Sequence, residues 1–444
     1  MRTMLRNFIS PAWAILEYGS YPLLLLISTP WFLHQLGTDR YGHWMLLVAT
    51  VSFGGVLNSG TGAATIKAVS SGIGGSIAGQ SDRAINASLA IAMLGGGVLA
   101  MMVFSLFWFG APFILSRMGE PELVRATGVA AAVLIWIEQL DNVFSSAMKG
   151  AEHFRGAAQI EMASKTAQIV AAAIVLYEFP SLEALYWTLL VVAILRLLAK
   201  VAITKRLLTL SRFRPSFQDS SDVLHFAKWG WLQGVGGVMF GAADRMLIGS
   251  MLGASSLTYF AIASQLAMQT HAVSAAGLSV IFPKVSRKLG SGDSFSLSRF
   301  TRITTAGNLI LSTSLAVAMI LFGPAFLRFW VGPESAGPAA QLLPWLVVAY
   351  WILSLNSVSY YLLLGMGRIR LISLTVITAG ICAVIAAYFA IDSIGLVGAP
   401  AGRAAYAIVS LALFIPVLQQ LRNERDEIDN IPTINSVPGG DRLS

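Results

Sequence analysis

Several ionisable side chains stand inside apolar stretches of this 444-residue chain, where only a partner, a proton or trapped water can support their charge. Asp244 and Arg245 are adjacent in one such stretch, with Gln233 upstream. At about 100° per residue, Gly230, Gly234, Gly237 and Gly241 fall within about 40° of one line that also carries Asp244, while Arg245 and Gln233 lie about 60° away. Two arrangements satisfy this stripe. In one, small residues allow close helix packing and Asp244 pairs with Arg245. In the other, the glycines bend the helix or face a cavity, and Arg245 offers a cation to an anionic head group.

A second stripe follows helical spacing through Glu138, Asp141, Asn142, Ser145 and Lys149. Carboxylates in a bilayer are costly unless protonated, paired or wet. Glu138, Asp141 and Asp244 are therefore candidates for binding a coupling H⁺ or Na⁺, the alternative being pairing with Arg or Lys of a neighbouring helix. Glu161 and Lys165 have the spacing of an intrahelical pair, with Lys165 facing a cavity as the second reading. Arg403 has no acidic residue within a turn of its own helix, which makes it a candidate cavity cation or a carbonyl cap. Gln265, Gln269 and His271 could hydrogen-bond sugar hydroxyls or, as the first reading, make polar contacts to neighbouring helices. Substrate contacts are thus expected from Arg245, Arg403, Lys165, Gln233 and Gln269. Glu17 fits a neutral hydrogen-bonded role, and Arg196 a snorkelling one near the inner interface.

The elements that position these groups are transmembrane helices. Hydrophobic residues make up 56% of the chain and charged residues 12%, far from the balance of a soluble domain. About twelve runs have the length of a crossing, near 11–34, 42–66, 86–110, 124–147, 157–178, 183–204, 225–250, 256–281, 301–325, 339–364, 369–391 and 394–417. About 22 of the Lys and Arg residues fall on one side of these runs, which puts both termini on the cytoplasmic side; the inner (plasma) membrane as the location is what the family resemblance below implies. Arg40, Arg117, Arg125 and Arg328 fall on the far side, and Lys165, Arg196, Arg245 and Arg403 within crossings. The net charge of +8 then reports topology and contact with anionic membrane lipids, not nucleic acid. Trp31, Tyr41, Trp44, Trp108 and Trp330 near run ends are expected as interface anchors.

The second half repeats the first. A shift of 216 places lays Trp13 on Trp229, Leu36 on Leu252 and Gly37 on Gly253, and a shift of 215 lays Asp141 on Asn356 and Gly150 on Gly365. The expected architecture is an all-α integral membrane protein of about twelve helices, in two pseudo-symmetric six-helix bundles around a central cavity. Its parts are an N-terminal bundle (1–210), a basic cytoplasmic linker (211–224), a C-terminal bundle (225–418) and a polar cytoplasmic tail (419–444).

The loops leave little room for an external active site, since the longest on the far side, 111–123 and 326–338, are short. No phosphate-cradling Gly-x-x-x-x-Gly-Lys-[Ser/Thr], dinucleotide fingerprint or metal motif occurs, and Cys382 is the single cysteine. No cofactor and no catalytic residues are expected: the chain reads as a transporter, not an enzyme.

Ala-Asp-Arg-Met-Leu-Ile-Gly-Ser-Met-Leu-Gly at 243–253, Tyr259 with 261–264, Ile281-Phe282-Pro283 and the matching Leu-Gly-x-x-x-Tyr-Gly at 36–42 resemble the polysaccharide-transport, Wzx-type flippase branch of the multidrug/oligosaccharidyl-lipid/polysaccharide exporter superfamily. The resemblance spans all the crossings. It implies two bundles around a cavity, alternating access, and an undecaprenyl-diphosphate-linked oligosaccharide as the cargo for O-antigen or exopolysaccharide assembly. A polysaccharide polymerase and a chain-length regulator are the partners it implies. The chain departs from a strongly cationic cavity, having no dense basic cluster within its crossings. A cation-coupled drug or metabolite antiporter of the same superfamily is the alternative, and a non-transporting enzyme or scaffold of envelope assembly a third.

Overall fold

The computed structural model describes residues 2–74, 80–208, 214–216, 224, 230–232, 234–278 and 297–429. The described residues form helices and turns and no strand. We number the helices α1 (Arg2–Val51), α2 (Gly54–Gly74), α3 (Gln80–Ile114), α4 (Pro121–Gly150), α5 (Phe154–Glu178), α6 (Leu182–Leu207), α7 (Gly230–Leu252), α8 (Ala254–Leu278), α9 (Leu297–Gly365), α10 (Ile369–Ile394), α11 (Pro400–Ser410) and α12 (Phe414–Asp429). Among the described residues 8 helices are long and apolar enough to cross a membrane, or up to 9 when the bent pair Leu24–Val56 and Gly60–Ser70 is one span.

That count falls below the expected twelve partly because long helices contain reversals. The apolar part of α9 runs for 67 residues and would be about 100 Å long if straight, three times the bilayer core. It turns at Gly332, whose φ of 80° and ψ of 163° are non-helical. Asn308 Nδ2 donates to the Ser354 carbonyl at 2.9 Å and Trp351 Nε1 to Thr313 Oγ1 at 3.0 Å. Both pairs are centred on 331–332, so the two arms run antiparallel from that glycine.

The internal repeat is visible in the backbone. Gly37, with φ 73° and ψ 170°, breaks α1, and Gly253, with φ 88° and ψ −178°, ends α7. These are the glycines that the 216-residue shift superposes, and both hold a left-handed φ that a side chain would strain.

The two halves meet around these turns. Arg117 Nη1 donates to the Met251 carbonyl at 2.7 Å, Thr258 Oγ1 to the Thr38 carbonyl at 2.7 Å and Trp330 Nε1 to the Leu26 carbonyl at 2.9 Å, while Ser255 donates to Asp39. A Cβ on Gly42 would collide with the Ala254 carbonyl, so the halves touch backbone to backbone. Tyr41 and Trp44, expected as interface anchors, are instead 1% and 3% exposed. The seam between the halves passes through that end of the bundle, and their rings pack inside it.

Helix α7 departs from uniform helical geometry. Met239–Ala243 form a π segment, where the wider turn shifts the register of the residues beyond it. A single wheel therefore does not carry through to Asp244. Gly236 is the close-packed glycine: an added Cβ would meet Val376 of α10 at 2.6–2.8 Å. Gly237 and Gly241, on the predicted stripe, have open space where a side chain would go. The stripe is thus an open face, and the packing contact lies one residue to its side.

Gly236→Ala is therefore expected to destabilise the protein by about 1–3 kcal/mol through overpacking, whereas Gly237→Ala should be neutral or gain up to about 1 kcal/mol of helix propensity. Thermal melting of the two purified variants in one detergent checks this, and equal melting points would contradict the assignment of faces.

Candidate functional site

Six charged side chains converge in the first half from three helices. Glu138 and Asp141 come from α4, Glu161 and Lys165 from α5, and Arg196 and Lys200 from α6. Each pair sits three or four residues apart, so each helix presents two charges to the same neighbours. Arg196 is the hub: Nη2 donates to Glu138 at 2.9 Å, Nε lies 3.3 Å from Asp141 and Nη1 3.5 Å from Glu161. Lys200 Nζ reaches Asp141 at 2.7 Å and Glu161 at 2.8 Å, and Lys165 lies 3.3 Å from Glu161. Three anions meet three cations, so the group is neutral.

Burial grades across the network. The Lys200 side chain is 1% exposed and that of Glu138 37%, so the network is sealed at one end and open at the other. The carboxylates offered as coupling-ion candidates thus take the pairing alternative: the oxygens of Glu138 and Asp141 face guanidinium and ammonium groups. Lys165 likewise pairs on its own helix, and its substrate role loses its basis. Arg196 does not snorkel; it is buried at the centre. Lys200 is a member that the side-by-side charge count assigns to the cytoplasm instead. Its spacing of four from Arg196 in an apolar helix is the signal that could have found it, because two cations on one face require anions opposite.

The second half holds a smaller group on α7 and α11. Arg403 Nε donates to Asp244 Oδ2 at 2.6 Å, with side chains only 4% and 7% exposed. The other carboxylate oxygen, Oδ1, accepts from the Arg245 backbone N–H at 2.7 Å. The Arg403 guanidinium also lies 4.2 Å over the Phe240 ring and 5.7 Å from that of Tyr350. The gap between Phe240, Asp244, Gly402 and Arg403 is too narrow for water. Arg403 is therefore a structural cation whose acid comes from another helix, not a free one, and Asp244 has both oxygens engaged.

Arg245 differs from all of these. Its side chain is half-buried, its Nε has no hydrogen-bond partner among the described residues, and none of their carboxylates lies within ion-pair distance of it. The groups that share its surroundings are Asp244, Arg403, Tyr350 and, from the first half, Tyr41. Arg245 thus stands on the seam between halves. Gln269 donates to the Gln265 carbonyl on its own helix at 3.2 Å. Gln233 lies outside the described residues, as does the Glu17 side chain. His271 Nδ1 has no partner among the described residues.

Comparison with known proteins places this geometry. The family described as "Polysaccharide biosynthesis protein" matches residues 67–334. The chain belongs to that family. No curated protein matches it. Among solved structures, the inward-facing conformation of a multidrug resistance MATE family transporter of the MOP superfamily superposes with a TM-score of 0.73 at 14% identity, covering 93% of this chain and 96% of that one. The lipid II flippase MurJ in its inward closed conformation gives a TM-score of 0.72 at 10% identity, covering 94% and 87%. An outward-facing MATE conformation gives 0.59 at 14% identity, covering 94% and 95%. The fold of this polysaccharide biosynthesis protein is therefore that of a multi-pass membrane transporter.

Within this family member, Lys200→Met would leave Asp141 and Glu161 short of a cation in a sealed site. Breaking one partner of a buried pair costs about 3–5 kcal/mol, and Asp141→Asn added to Lys200→Met should recover part of it. A double-mutant cycle on melting points checks the coupling; additive losses would show that the two charges do not support each other.

Proposed function

We propose that the protein is a flippase that carries a polyprenyl-diphosphate-linked oligosaccharide, of the undecaprenyl type, from the cytoplasmic to the outer face of the inner membrane by alternating access. The observation that carries this reading is Arg245 on the seam between halves, with no carboxylate of the described residues within ion-pair distance of its side chain. Lys200, Arg196 and Arg403, the fully buried cations of those residues, each have one, so the fold can neutralise charge where it needs to. A guanidinium left without one suits a cargo that brings its own anion, and its planar fork matches phosphoryl oxygens.

Further features agree. The open face of α7 at Gly237 and Gly241 leaves room on the helix that carries Arg245. The contacts around Gly37 and Gly253 hold the halves together at the end that the basic-residue distribution puts outside. With a TM-score of 0.73 on an inward-facing MATE conformation against 0.59 on an outward-facing one, that is the state expected to load from the cytoplasm. An antiporter of lipophilic cations fits less well, because Arg245 would repel its cargo.

The test is a strain lacking the gene, complemented by wild-type or Arg245→Ala protein at matched membrane levels. Lipid-linked oligosaccharide should accumulate on the cytoplasmic face with Arg245→Ala, and binding of a polyprenyl diphosphate to the purified variant should weaken by about 30-fold, the equivalent of about 2 kcal/mol. Normal surface polysaccharide with Arg245→Ala would overturn the reading.

A further inference from the structure

The outer end of the first half carries a cation that takes no part in either charge group. Arg125 of α4 is half-buried, at the end that the basic-residue distribution puts outside. Its guanidinium lies 5.6 Å from the centre of the Trp108 ring of α3, near enough for a cation–π contact. Among the described residues no carboxylate lies within ion-pair distance of it, and of its nitrogens only Nε is enclosed, without an acceptor. Glu122, one turn earlier on the same face of α4, is exposed and likewise has no ion pair among the described residues. The spacing would suit a pair between the two, yet the guanidinium lies by the ring and the carboxylate stays open.

Close packing of α3 on α4 sets this arrangement. A Cβ on Gly128 would collide with Phe107, so the helices touch at that level, and Arg125, three residues before Gly128, comes beside Trp108, the residue after Phe107. The Trp108 ring stacks on Phe104 at 5.4 Å between centres and is still 42% exposed. From there toward the middle of the membrane, Val98, Met101, Met102, Leu106 and Phe109 line an uncovered apolar groove of about 670 Å³ along α3. Lipid chains cover any such face in a bilayer; what distinguishes this one is the two opposite charges at its outer end.

We infer that the outer ends of α3 and α4 bind a phospholipid with a phosphoethanolamine head: Arg125, propped on Trp108, takes the phosphate, Glu122 takes the ammonium, and the acyl chains lie along the groove. The order of the charges carries the assignment. Along α4 the cation is nearer the membrane core and the anion about 5 Å further out, while in this lipid the phosphate is next to the chains and the ammonium lies beyond it on a short ethylene link. A guanidinium fork matches phosphoryl oxygens, and an ammonium brings three N–H donors to a carboxylate. An anionic lipid with a glycerol head would leave Glu122 without a cation, and a choline head has no N–H to offer it. Free phosphate would bring no chains for the groove. The inference uses neither Arg245 nor its cargo.

The experiment titrates the full-length protein, purified in detergent and stripped of lipid, with phosphatidylethanolamine, phosphatidylglycerol and phosphatidylcholine of identical chains, and reads each bound population by native mass spectrometry. One phosphatidylethanolamine per chain should bind about tenfold tighter than either of the other lipids. Arg125→Met should weaken that binding by about tenfold or more, and Arg125→Lys, which keeps the charge and loses the planar fork, by less. Glu122→Gln should weaken phosphatidylethanolamine and spare phosphatidylglycerol, so that the two converge; Glu122 is exposed, which keeps this variant informative even where Arg125→Met is poorly made. Ser105→Phe, placed in the groove away from both charges, should weaken the long-chain lipid. Equal affinity of the wild-type protein for all three lipids, or full affinity in Arg125→Met, would overturn the site. Discrimination that survives Glu122→Gln would overturn the recognition of the ammonium, and full affinity in Ser105→Phe the placement of the chains.

Discussion

Charge that enters the hydrocarbon layer must be neutralised inside the protein, and the way this chain does so shapes the rest of the structure. Lys165, Arg196, Lys200 and Arg403 each lie within ion-pair distance of a carboxylate. Apart from the Lys165–Glu161 contact, these pairs join different helices, so each also fixes how two helices sit against one another. The first half uses three helices and six charges, which ties α4, α5 and α6 into one body. The second half uses one pair, Asp244–Arg403, to tie α7 to α11 just after the π segment. Removing a single member would leave a bare charge, which is more damaging than losing an attractive contact.

The pairing also frees the seam from structural duty. Among the described residues, contact between the halves is made by the Arg117, Asp39 and Trp330 side chains, by hydroxyls, one amide and backbone carbonyls, and by the close approach at Gly42. Such contacts are individually weak and can be exchanged for water or for cargo. A protein that must separate its halves and rejoin them in every cycle needs stiff interiors and a soft joint. Ion pairs inside each half and single hydrogen bonds between the halves give that division.

Much of this is legible in the sequence, and the remainder is hidden for physical reasons. The apolar runs and the Gly37–Gly253 repeat are set by periodicity and composition, because a helix in lipid has few alternatives. The intramembrane charges are likewise visible, yet their partners are not: Arg403 has no acid near it in its own helix, and its partner is 159 residues away. Arg196 and Lys200 have the look of the inner end of a crossing because a one-dimensional count places the boundary by hydropathy, whereas burial is set by the anions on α4 and α5. A uniform wheel describes the glycine stripe only as far as the π segment at 239–243, which rotates Asp244 and its successors about the axis. Gln265 and Gln269 are alike in the sequence, and only the packing separates the amide that stays within its own helix from the one that crosses the seam.

On the proposed reading, a cation without an ion pair among the described residues, Arg245, also bears on energetics. With a diphosphate as cargo, Arg245 offsets part of its charge while bound, which eases the passage of that charge through the low-dielectric interior. The work done by the membrane potential over a full cycle is unaffected by this, since the guanidinium stays with the protein and only the cargo is delivered. Each negative charge moved outward gains about 2.3 kcal/mol per 100 mV. A cavity with many free cations would hold such a cargo tightly in both orientations and slow its release, because binding that is equal at start and finish raises affinity without favouring transfer. On the proposed reading, pairing Lys165, Arg196, Lys200 and Arg403 while leaving Arg245 open would give a site that can hold an anion and still let it go, with the direction of movement left to the potential and to the supply of cargo.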